Sequence, residues 1–197
     1  RAKVWRWFKP ALDLRFFNPL RSGPDLLSET RTFAVLVDNE PGVLARVIGL
    51  FSGRGYNIES LTVTEVDDDA NLSRITIVTG GTTQVLIQIR NLLERLVPVH
   101  RVEDLTAVAL ANELEPPVQR ELALVKVVGA GDKRVEALRI ADIFKAEVVD
   151  TGLGHFVFEV KGRKEQIDRF IELMVPLGLT EICRSGVIAV SRGDKAL

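Results

Sequence analysis

The sequence predicts an α+β protein built from two tandem copies of one βαββαβ unit. Three observations lead to this prediction. Strand-like and helix-like apolar periodicities follow one another in the order strand, helix, strand, strand, helix, strand. The same order repeats in the second half, and a stretch rich in Glu and Pro, residues 109–119, separates the halves. This order is that of a ferredoxin-like domain, and 197 residues suffice for two such domains.

Composition narrows the class of protein. Apolar residues make up 46% of the chain and charged residues 27%, a balance typical of soluble globular proteins. The 26 basic residues nearly cancel the 27 acidic ones, so nucleic acid and anionic membranes are disfavoured as partners. Cys183 is the single cysteine and cannot form an internal disulfide, which favours a reducing, cytoplasmic setting. No apolar run approaches the roughly 20 residues of a membrane span.

Residues 1–30 differ from the rest of the chain. They carry five of the twelve aromatic residues among Arg and Lys, together with three prolines, and lack the long apolar run of a secretory signal. We expect a flexible N-terminal arm or residues upstream of the true start; the alternative is an arm that docks on a partner. The chain begins with Arg1 rather than Met, as a trimmed or processed start would.

Residues 31–108 are predicted to form the first domain. The first strand, from Arg31, is apolar on both faces, which is typical of a buried central strand. The elements that follow are predicted to be a helix from Val43 to the glycines at 53 and 55, strands over 57–65 and 72–79, a helix between Gly81 and Pro98, and a strand over 99–108. The carboxylates of Asp67–Asp69 lie in the hairpin turn and are interpreted as solvated rather than as a cation site.

Residues 109–119 are predicted to be a linker and residues 120–194 a second domain. Its predicted elements are a strand over 121–128, a helix over 132–145, a hairpin of 146–150 and 155–160, a helix over 164–174 and a final strand over 185–191. A Gly-x-Gly pair at Gly129 and Gly131 suggests a dinucleotide fingerprint, but Arg134 stands where the third glycine belongs. Close helix packing is therefore the preferred interpretation of these glycines.

The turn Asn39-Glu40-Pro41-Gly42 connects the first strand to the first helix. Asp38 or Asn39 can cap the helix, and Pro41 suits its first turn, where no amide hydrogen is needed. A helix start also offers unpaired amides and the positive end of the macrodipole, so a carboxylate can bind there without a charged side chain. The amides concerned are those of Gly42, Val43 and Leu44. The pattern leaves open whether the turn binds an anion or only caps a helix well.

Asn57 is predicted to open the second strand, from which its side-chain amide can return toward this turn. The return is possible within one subunit or across a dimer. A dimer is expected, because pairing two edge strands protects exposed backbone groups and builds a groove. Nothing that resembles Asn57 opens the corresponding strand of the second copy.

The residues do not indicate a catalytic site. His100 and His155 are the two histidines, they lie in different halves, and neither has a nucleophile nearby in sequence. Cys183 and His155 alone are too few ligands for a tight transition-metal site. Asn, Gly and backbone amides hold an amino acid's carboxylate and ammonium groups but do not act as acid or base near neutral pH. The pattern therefore favours a sensor over an enzyme.

Four stretches together resemble the small regulatory subunit of acetolactate synthase (acetohydroxyacid synthase): NEPGVLARVIGLFSGRGYNIESLTV, LSRITIV, ELALVKV and RSGVIAVSRGD. The resemblance covers about residues 31–194. It implies an ACT domain followed by an ACT-like domain, in a homodimer that binds a separate catalytic subunit. It also implies that the catalytic subunit, not this chain, holds thiamine diphosphate, magnesium and FAD. That subunit condenses two pyruvates, or pyruvate with 2-oxobutyrate, on the way to valine, leucine and isoleucine.

The resemblance further implies that the small subunit raises catalytic activity and confers feedback inhibition, usually by valine. The effector-binding residues expected from it are Asn39, Gly42, Val43, Leu44, Asn57 and Ile58. Pro41 stands where some relatives have serine, which stiffens the turn without removing a ligand-facing group. The alternative function is a free-standing amino-acid sensor that controls another partner, such as a transcription factor. That function needs an output module, and the sequence shows neither a basic DNA-reading helix nor an appended domain.

Overall fold

The computed structural model of the chain describes residues 28–67, 71–113 and 115–194. The predicted N-terminal arm lies outside the described residues except for its last three positions, of which Glu29 and Thr30 already belong to the first strand. The hairpin turn whose carboxylates we expect to be solvated also lies largely outside the described residues, at 68–70. None of the described helices is long and apolar enough to cross a membrane.

The described chain forms two successive units whose first six elements follow the same order, βαββαβ. The first unit contains β1 (Glu29–Asp38), α1 (Val43–Ser52), β2 (Ser60–Asp67), β3 (Leu72–Gly81), α2 (Thr83–Leu93), β4 (Val99–Asp104) and α3 (Leu105–Ala111). The second contains β5 (Val118–Val128), α4 (Asp132–Phe144), β6 (Glu147–Thr151), β7 (His155–Gly162), α5 (Lys164–Gly178), β8 (Leu179–Arg184) and β9 (Ile188–Val190).

Each unit forms its own antiparallel sheet, and the two strand orders correspond. The first sheet has the order β2-β3-β1-β4 and the second β6-β7-β5-β8, with β9 added against the start of β5. The first strand of each unit is therefore one of the two central strands of its sheet. This confirms the prediction of two tandem ferredoxin-like βαββαβ domains.

Two separate cores hold the domains together. In the first, Phe33, Val35 and Val37 on one face of β1 pack against the apolar stripes of α1 and α2. In the second, Phe158 of β7 makes an edge-to-face contact with Phe170 of α5, with ring centroids 6.1 Å apart. Because all of these side chains are buried within their own domain, each unit has the core of an independent fold.

The predicted fourth strand of the first domain is too long at its C-terminal end. β4 ends at Asp104 rather than at residue 108, and α3 follows at once. The reason is the Asp104 side chain, which accepts a hydrogen bond from the Ala107 amide at 2.9 Å and so caps a helix. The apolar run after Asp104 is compatible with strand or helix, and this cap selects the helix. The predicted linker is thereby shortened to residues 112–117 between α3 and β5.

The predicted final strand of the second domain, residues 185–191, is also wrong. The fourth strand is β8, which pairs with β5 over Leu179–Arg184, and only Ile188–Val190 of the predicted segment is a strand. The preceding helix was predicted to end at residue 174, but it continues through Pro176 to Gly178. Gly178 has a φ of +108°, a conformation that favours glycine, and the chain reverses there into β8.

The second strand of the first domain begins later than predicted. Residues 53–59 form a loop after α1, and β2 starts at Ser60, so Asn57 lies three residues before the strand. The loop is held to the sheet by its backbone, since the Glu59 amide donates to the Val78 carbonyl at 2.8 Å.

The second domain covers part of the first sheet on the face opposite to α1 and α2. Thr62 Oγ1 donates to the Val187 carbonyl at 3.1 Å, and Gln119 Nε2 donates to Thr32 Oγ1 at 2.8 Å. Lys164 of α5 forms a 3.0 Å ion pair with Glu59. The start of β5, the residue before β9 and the start of α5 therefore hold the two domains in contact through polar groups.

Candidate functional site

The start of α1 is open to solvent and carries no side-chain cap. Gly42 is the N-cap residue, with a φ of +88° and no side-chain hydrogen bond at the helix start. A Cβ added to Gly42 meets no atom within 4 Å, so the space above the turn is free. The other two helices of this domain are capped by side chains, α2 by Thr82 and α3 by Asp104. The expected cap by Asp38 or Asn39 is therefore not formed.

Part of the backbone at this helix start is already paired. The Val43 amide donates to the Glu40 carbonyl at 3.3 Å, and the Arg46 amide donates to the Gly42 carbonyl at 3.0 Å. Within the described chain, the amides of Leu44 and Ala45 donate to no backbone carbonyl. No acidic side chain occupies the first turn of the helix. The turn thus presents unpaired donors and the positive end of the helix dipole, an arrangement suited to a carboxylate.

Asn39 faces neighbouring strands rather than the helix. Its Nδ2 donates to Glu65 Oε1 at 2.7 Å, and its Oδ1 accepts from Ser73 Oγ at 3.0 Å. Glu65 and Ser73 are cross-strand partners in the β2–β3 pair. The Asn39 side chain therefore ties the turn to this hairpin and places a carboxylate beside it. Sequence reasoning missed Glu65 and Ser73, because only the strand register brings them to Asn39.

Asn57 lies far from the turn within one chain. Its carbonyl accepts a hydrogen bond from Thr79 Oγ1 at 2.6 Å, near the end of β3 that pairs with the start of β1. Asn39 follows the opposite end of β1, where Asp38 pairs with Leu72. The seven steps along the strand from Leu72 to Thr79 correspond to about 23 Å. The structure does not bring Asn39 and Asn57 together in one subunit.

The remaining expected site residues differ in exposure. Val43 is buried in the first core, so only its backbone is near the turn, whereas the Leu44 side chain is 38% exposed at the helix start. Ile58 is partly buried and packs against the same core from the loop before β2. Ile58 therefore shares the location of Asn57 rather than that of Gly42.

The first turn of the second copy is built differently. Gly131, with a φ of +60°, precedes α4, and the Arg134 side chain lies over the Phe156 ring at 3.8 Å from its centroid. A Cβ on Gly129 would lie 3.0 Å from the Leu177 carbonyl oxygen. Gly129 therefore permits the end of β5 to approach the end of α5. This supports close packing rather than dinucleotide binding as the role of these glycines.

The candidate Cys–His pair is not assembled. Cys183 pairs with Leu124 and His155 with Val128, so they lie four residues apart along β5 and on different neighbouring strands. His155 instead contacts Asp150 at 3.0 Å. Among the described residues, no group of three or more His, Cys, Asp or Glu side chains is arranged to hold a metal ion.

Two partly buried ion pairs lie at corresponding positions in the two sheets. Arg31 on β1 contacts Asp104 on β4 at 2.9 Å, and Glu121 on β5 contacts Arg184 on β8 at 2.6 Å. Burial alone lowers the pKa of Arg31, but hydrogen bonds with Asp104 and Glu29 outweigh it and raise the pKa. The hydrogen bond with Glu121 raises the pKa of Arg184 against its own burial. These pairs join the central strand to its neighbour and serve the fold.

Comparisons with known proteins cover both domains. Residues 33–101 match a family model described as "AHAS small subunit-like ACT domain", and residues 120–193 match one described as "Small subunit of acetolactate synthase". The sequence is 44% identical to the probable acetolactate synthase small subunit of Archaeoglobus fulgidus over 83% of this chain and 98% of that protein. It is 42% identical to the acetolactate synthase isozyme 3 small subunit of Escherichia coli over 85% of this chain and 98% of that protein.

A solved structure shows the same architecture. The crystal structure of the acetolactate synthase small subunit from Thermotoga maritima superimposes with a TM-score of 0.72. That protein is 31% identical in sequence, and the match covers 85% of this chain and 99% of the other. The ACT fold expected for the first domain is therefore shown by the family model and by the structure together.

Proposed function

Because the chain belongs to the family of acetolactate synthase small subunits, we propose that it activates a separate catalytic subunit and makes that subunit sensitive to valine. Membership in the family makes the chain the regulatory partner of a larger enzyme. The observation that carries the proposed valine site is the uncapped start of α1 at Gly42, with unpaired amides and open space above it.

In the proposed site the effector's carboxylate binds at the helix start, where Gly42 leaves the backbone accessible and the Leu44 amide is unpaired. The Glu65 carboxylate, held beside the turn by Asn39, is suited to the effector's ammonium group. The exposed Leu44 side chain offers an apolar surface for a branched side chain. The proposed effector-binding residues remain Asn39, Gly42, Val43, Leu44, Asn57 and Ile58.

A homodimer is part of the proposal, because Asn57 and the α1 turn of the same chain lie too far apart to bind one effector. β2 forms one edge of the first sheet, with β3 as its partner in the described chain, and it exposes Val63 and Val66. A second copy that pairs along β2 protects these backbone groups and apolar side chains. It also offers a route by which Asn57 of one copy reaches the turn of the other.

The chemistry of condensation is assigned to the catalytic subunit in this proposal. The α1 turn and its neighbours present amides, the Ser73 hydroxyl and the carboxylates of Asp38, Glu40 and Glu65, and Asp38 is paired with His100 Nε2 at 2.6 Å. These groups are suited to binding an amino acid, and the proposal gives none of them a part in the condensation. Thiamine diphosphate, magnesium and FAD are accordingly assigned to the catalytic subunit, and this chain acts on activity without an active site of its own.

The proposal is tested with Gly42→Asp. Aspartate tolerates positive φ better than most residues, and its carboxylate would lie where the effector's carboxylate is proposed to bind. Allosteric coupling is typically about 1–3 kcal/mol, or about 5- to 150-fold in affinity. We expect the variant to activate the reconstituted holoenzyme normally while the valine concentration for half-inhibition rises by at least about fivefold.

The matched control is Gly131→Asp, at the corresponding turn of the second domain. Gly131 also has a positive φ and also meets no atom within 4 Å of an added Cβ. Its ψ of −134°, against −10° at Gly42, makes Asp more strained there, so the control also reports any effect of backbone strain. We expect this control to keep normal valine inhibition. Unchanged inhibition by Gly42→Asp would contradict the proposed site. Valine binding without recovery of a thiamine-dependent partner in co-purification would favour the free-standing sensor instead.

A further inference from the structure

The outer face of the first sheet forms one wall of a cavity between the two domains. Two cross-strand pairs lie on this face, Thr62 with Thr76 and Thr64 with Arg74. The start of β5 and strand β9 form the other wall, so that both domains line a cavity of about 360 Å³. This volume lies in the range of about 300–1,000 Å³ that is typical of small-molecule sites.

Arg74 brings an unneutralised positive charge to this cavity. Its Nη2 donates to the Ala189 carbonyl at 2.7 Å, and no carboxylate of the described residues lies within 4.0 Å of it. Burial lowers the pKa of Arg74, opposed by the more distant charge of Glu103. Arg74 is partly buried, and its guanidinium retains donors that can bind an anion.

Thr76 brings an unpartnered hydroxyl. The residue is only 4% exposed, it lines the cavity, and its hydroxyl makes no hydrogen bond with the described residues. Among the described residues no buried polar side-chain atom lacks a hydrogen-bond partner, so the Thr76 hydroxyl oxygen is accessible and is suited to bond a ligand oxygen. Thr64 adds a second hydroxyl on the same wall, beside Arg74.

The opposite wall is apolar and restricts the ligand further. Val118, Ile188 and Val190 line it, and Arg120 adds a second positive charge at the cavity. The described residues that line the cavity include no Asp or Glu, so they offer an ammonium group no anionic partner. The cavity thus combines cations and hydroxyls for a carboxylate and an adjacent oxygen with an apolar surface for a short hydrocarbon chain.

We propose that this interdomain cavity binds a short aliphatic 2-oxo or 2-hydroxy acid, with the carboxylate on Arg74 and the adjacent oxygen on the Thr76 hydroxyl. The site is distinct from the α1 turn and independent of the proposed valine function. Its ligand contacts both domains at once, because Arg74 and Thr76 belong to the first domain and the apolar wall belongs to the second. Binding therefore stabilises the docked arrangement of the two domains.

The test is calorimetric titration of the full chain with three compounds that share one carbon skeleton. They are 3-methyl-2-oxobutanoate, 2-hydroxy-3-methylbutanoate and L-valine. We expect the oxo acid or the hydroxy acid, or both, to bind at this cavity, and valine not to bind there. The relative affinities of the first two show whether a carbonyl or a hydroxyl is preferred at Thr76.

Two variants locate the binding. Arg74→Met removes the charge at similar length, and we expect a loss of about tenfold or more in affinity for the bound acid. Thr76→Val keeps the shape and removes the hydroxyl, and we expect a loss of about threefold to tenfold. Arg90→Met on the exposed face of α2 is the matched control and leaves the affinity unchanged. Arg74→Met also removes the hydrogen bond to Ala189 and could weaken the contact between the domains. Thr76→Val leaves that bond intact, so its effect on affinity tests the ligand contact itself.

Failure of this proposal is distinguishable from failure of the proposed valine site. Gly42→Asp removes valine binding in the functional proposal and leaves the oxo or hydroxy acid bound here, whereas Arg74→Met does the reverse. The cavity proposal is overturned if neither acid binds at millimolar concentration, or if both variants keep the wild-type affinity. It is also overturned if valine binds and Arg74→Met removes that binding.

Discussion

The two domains share one topology, but their first helices differ in which side chains they bury and in the turn at their N-terminus. α1 buries Val43, Val47, Leu50 and Phe51, and the turn at its N-terminus is uncapped and open. α4 buries only two alanines and exposes larger apolar residues. These exposed residues are Val135, Leu138 and Ile143. The same βαββαβ frame therefore supports a candidate ligand site in one domain and an exposed helix in the other.

The difference between the turns follows from a few side chains. In the first domain Asn39 is bound to the β2–β3 hairpin and leaves the helix start open. In the second, Arg134 stacks on Phe156 and also donates toward Thr151 at 3.4 Å, so a long cationic side chain lies across the neighbouring hairpin. Fold and site are thus separate properties of these domains, and the site depends on local turn chemistry.

The largest expected effect tests whether the two domains are separate. Phe158 is fully buried in the second core, and Phe158→Ala should destabilise that domain by about 3–5 kcal/mol through lost burial and a cavity. We expect valine binding at the α1 turn to persist, because that turn belongs to the first core. Urea unfolding combined with valine titration measures both. Phe51→Ala is the matched change in the first core. Loss of valine binding in Phe158→Ala would show that the first domain depends on the second.

The second prediction concerns the buried ion pairs. Position 31 on β1 corresponds to 121 on β5, and position 104 on β4 to 184 on β8, so the two domains place opposite charges at equivalent sites. Asp104→Asn keeps a capping side chain but removes the charge beside Arg31, and we expect a loss of about 1.5–3 kcal/mol in unfolding free energy.

Glu121→Gln is the equivalent change in the second domain. Each arginine also contacts a second carboxylate, Arg184 that of Asp168 and Arg31 that of Glu29, but Arg184 is 30% exposed and Arg31 only 11%. We therefore expect a smaller loss of stability than for Asp104→Asn, measured by urea unfolding at neutral pH. A larger loss for Glu121→Gln would show that the two pairs are not equivalent in environment.

The smallest expected effect is a pH-dependent change in the stability of the first domain. Hydrogen bonds from Arg31 and Thr83 lower the pKa of Glu29 below its ordinary value of 4.5. A lowered carboxyl pKa stabilises the folded state above the unfolded value, and this contribution is lost as pH falls through the folded-state pKa. Glu29→Gln should therefore lower Tm slightly at neutral pH and match the wild type well below pH 4.5. A Tm difference that persists at acid pH would assign the effect to packing.

Sequence patterns predicted most of the fold because they act over a few residues. The apolar faces of β1, α1 and α2 follow from alternation and helical spacing, and the duplicated order follows from reading them in succession. The errors occur where a local pattern is ambiguous. Leu105–Ala111 fits strand or helix until the Asp104 cap is seen, and Pro176 does not end α5 in this packing environment.

The candidate site was predictable only in part. The turn and Gly42 are visible in the sequence because Asn, Pro and Gly between a strand and a helix have a local meaning. The partnership of Asn39 with Glu65 and Ser73 is not, because these residues are 26 and 34 positions away and meet only through strand register.

The sequence by itself determined that there are two βαββαβ domains and that only the first carries the Asn-Glu-Pro-Gly turn. Tertiary structure alone decided that Asn57 lies about 23 Å along the sheet from that turn, that α1 is left uncapped, and that Arg74 lines a cavity between the domains. The physical reason is the distance along the chain over which each effect acts. Backbone preferences and apolar periodicity act between near neighbours, whereas register and domain docking set which distant residues meet.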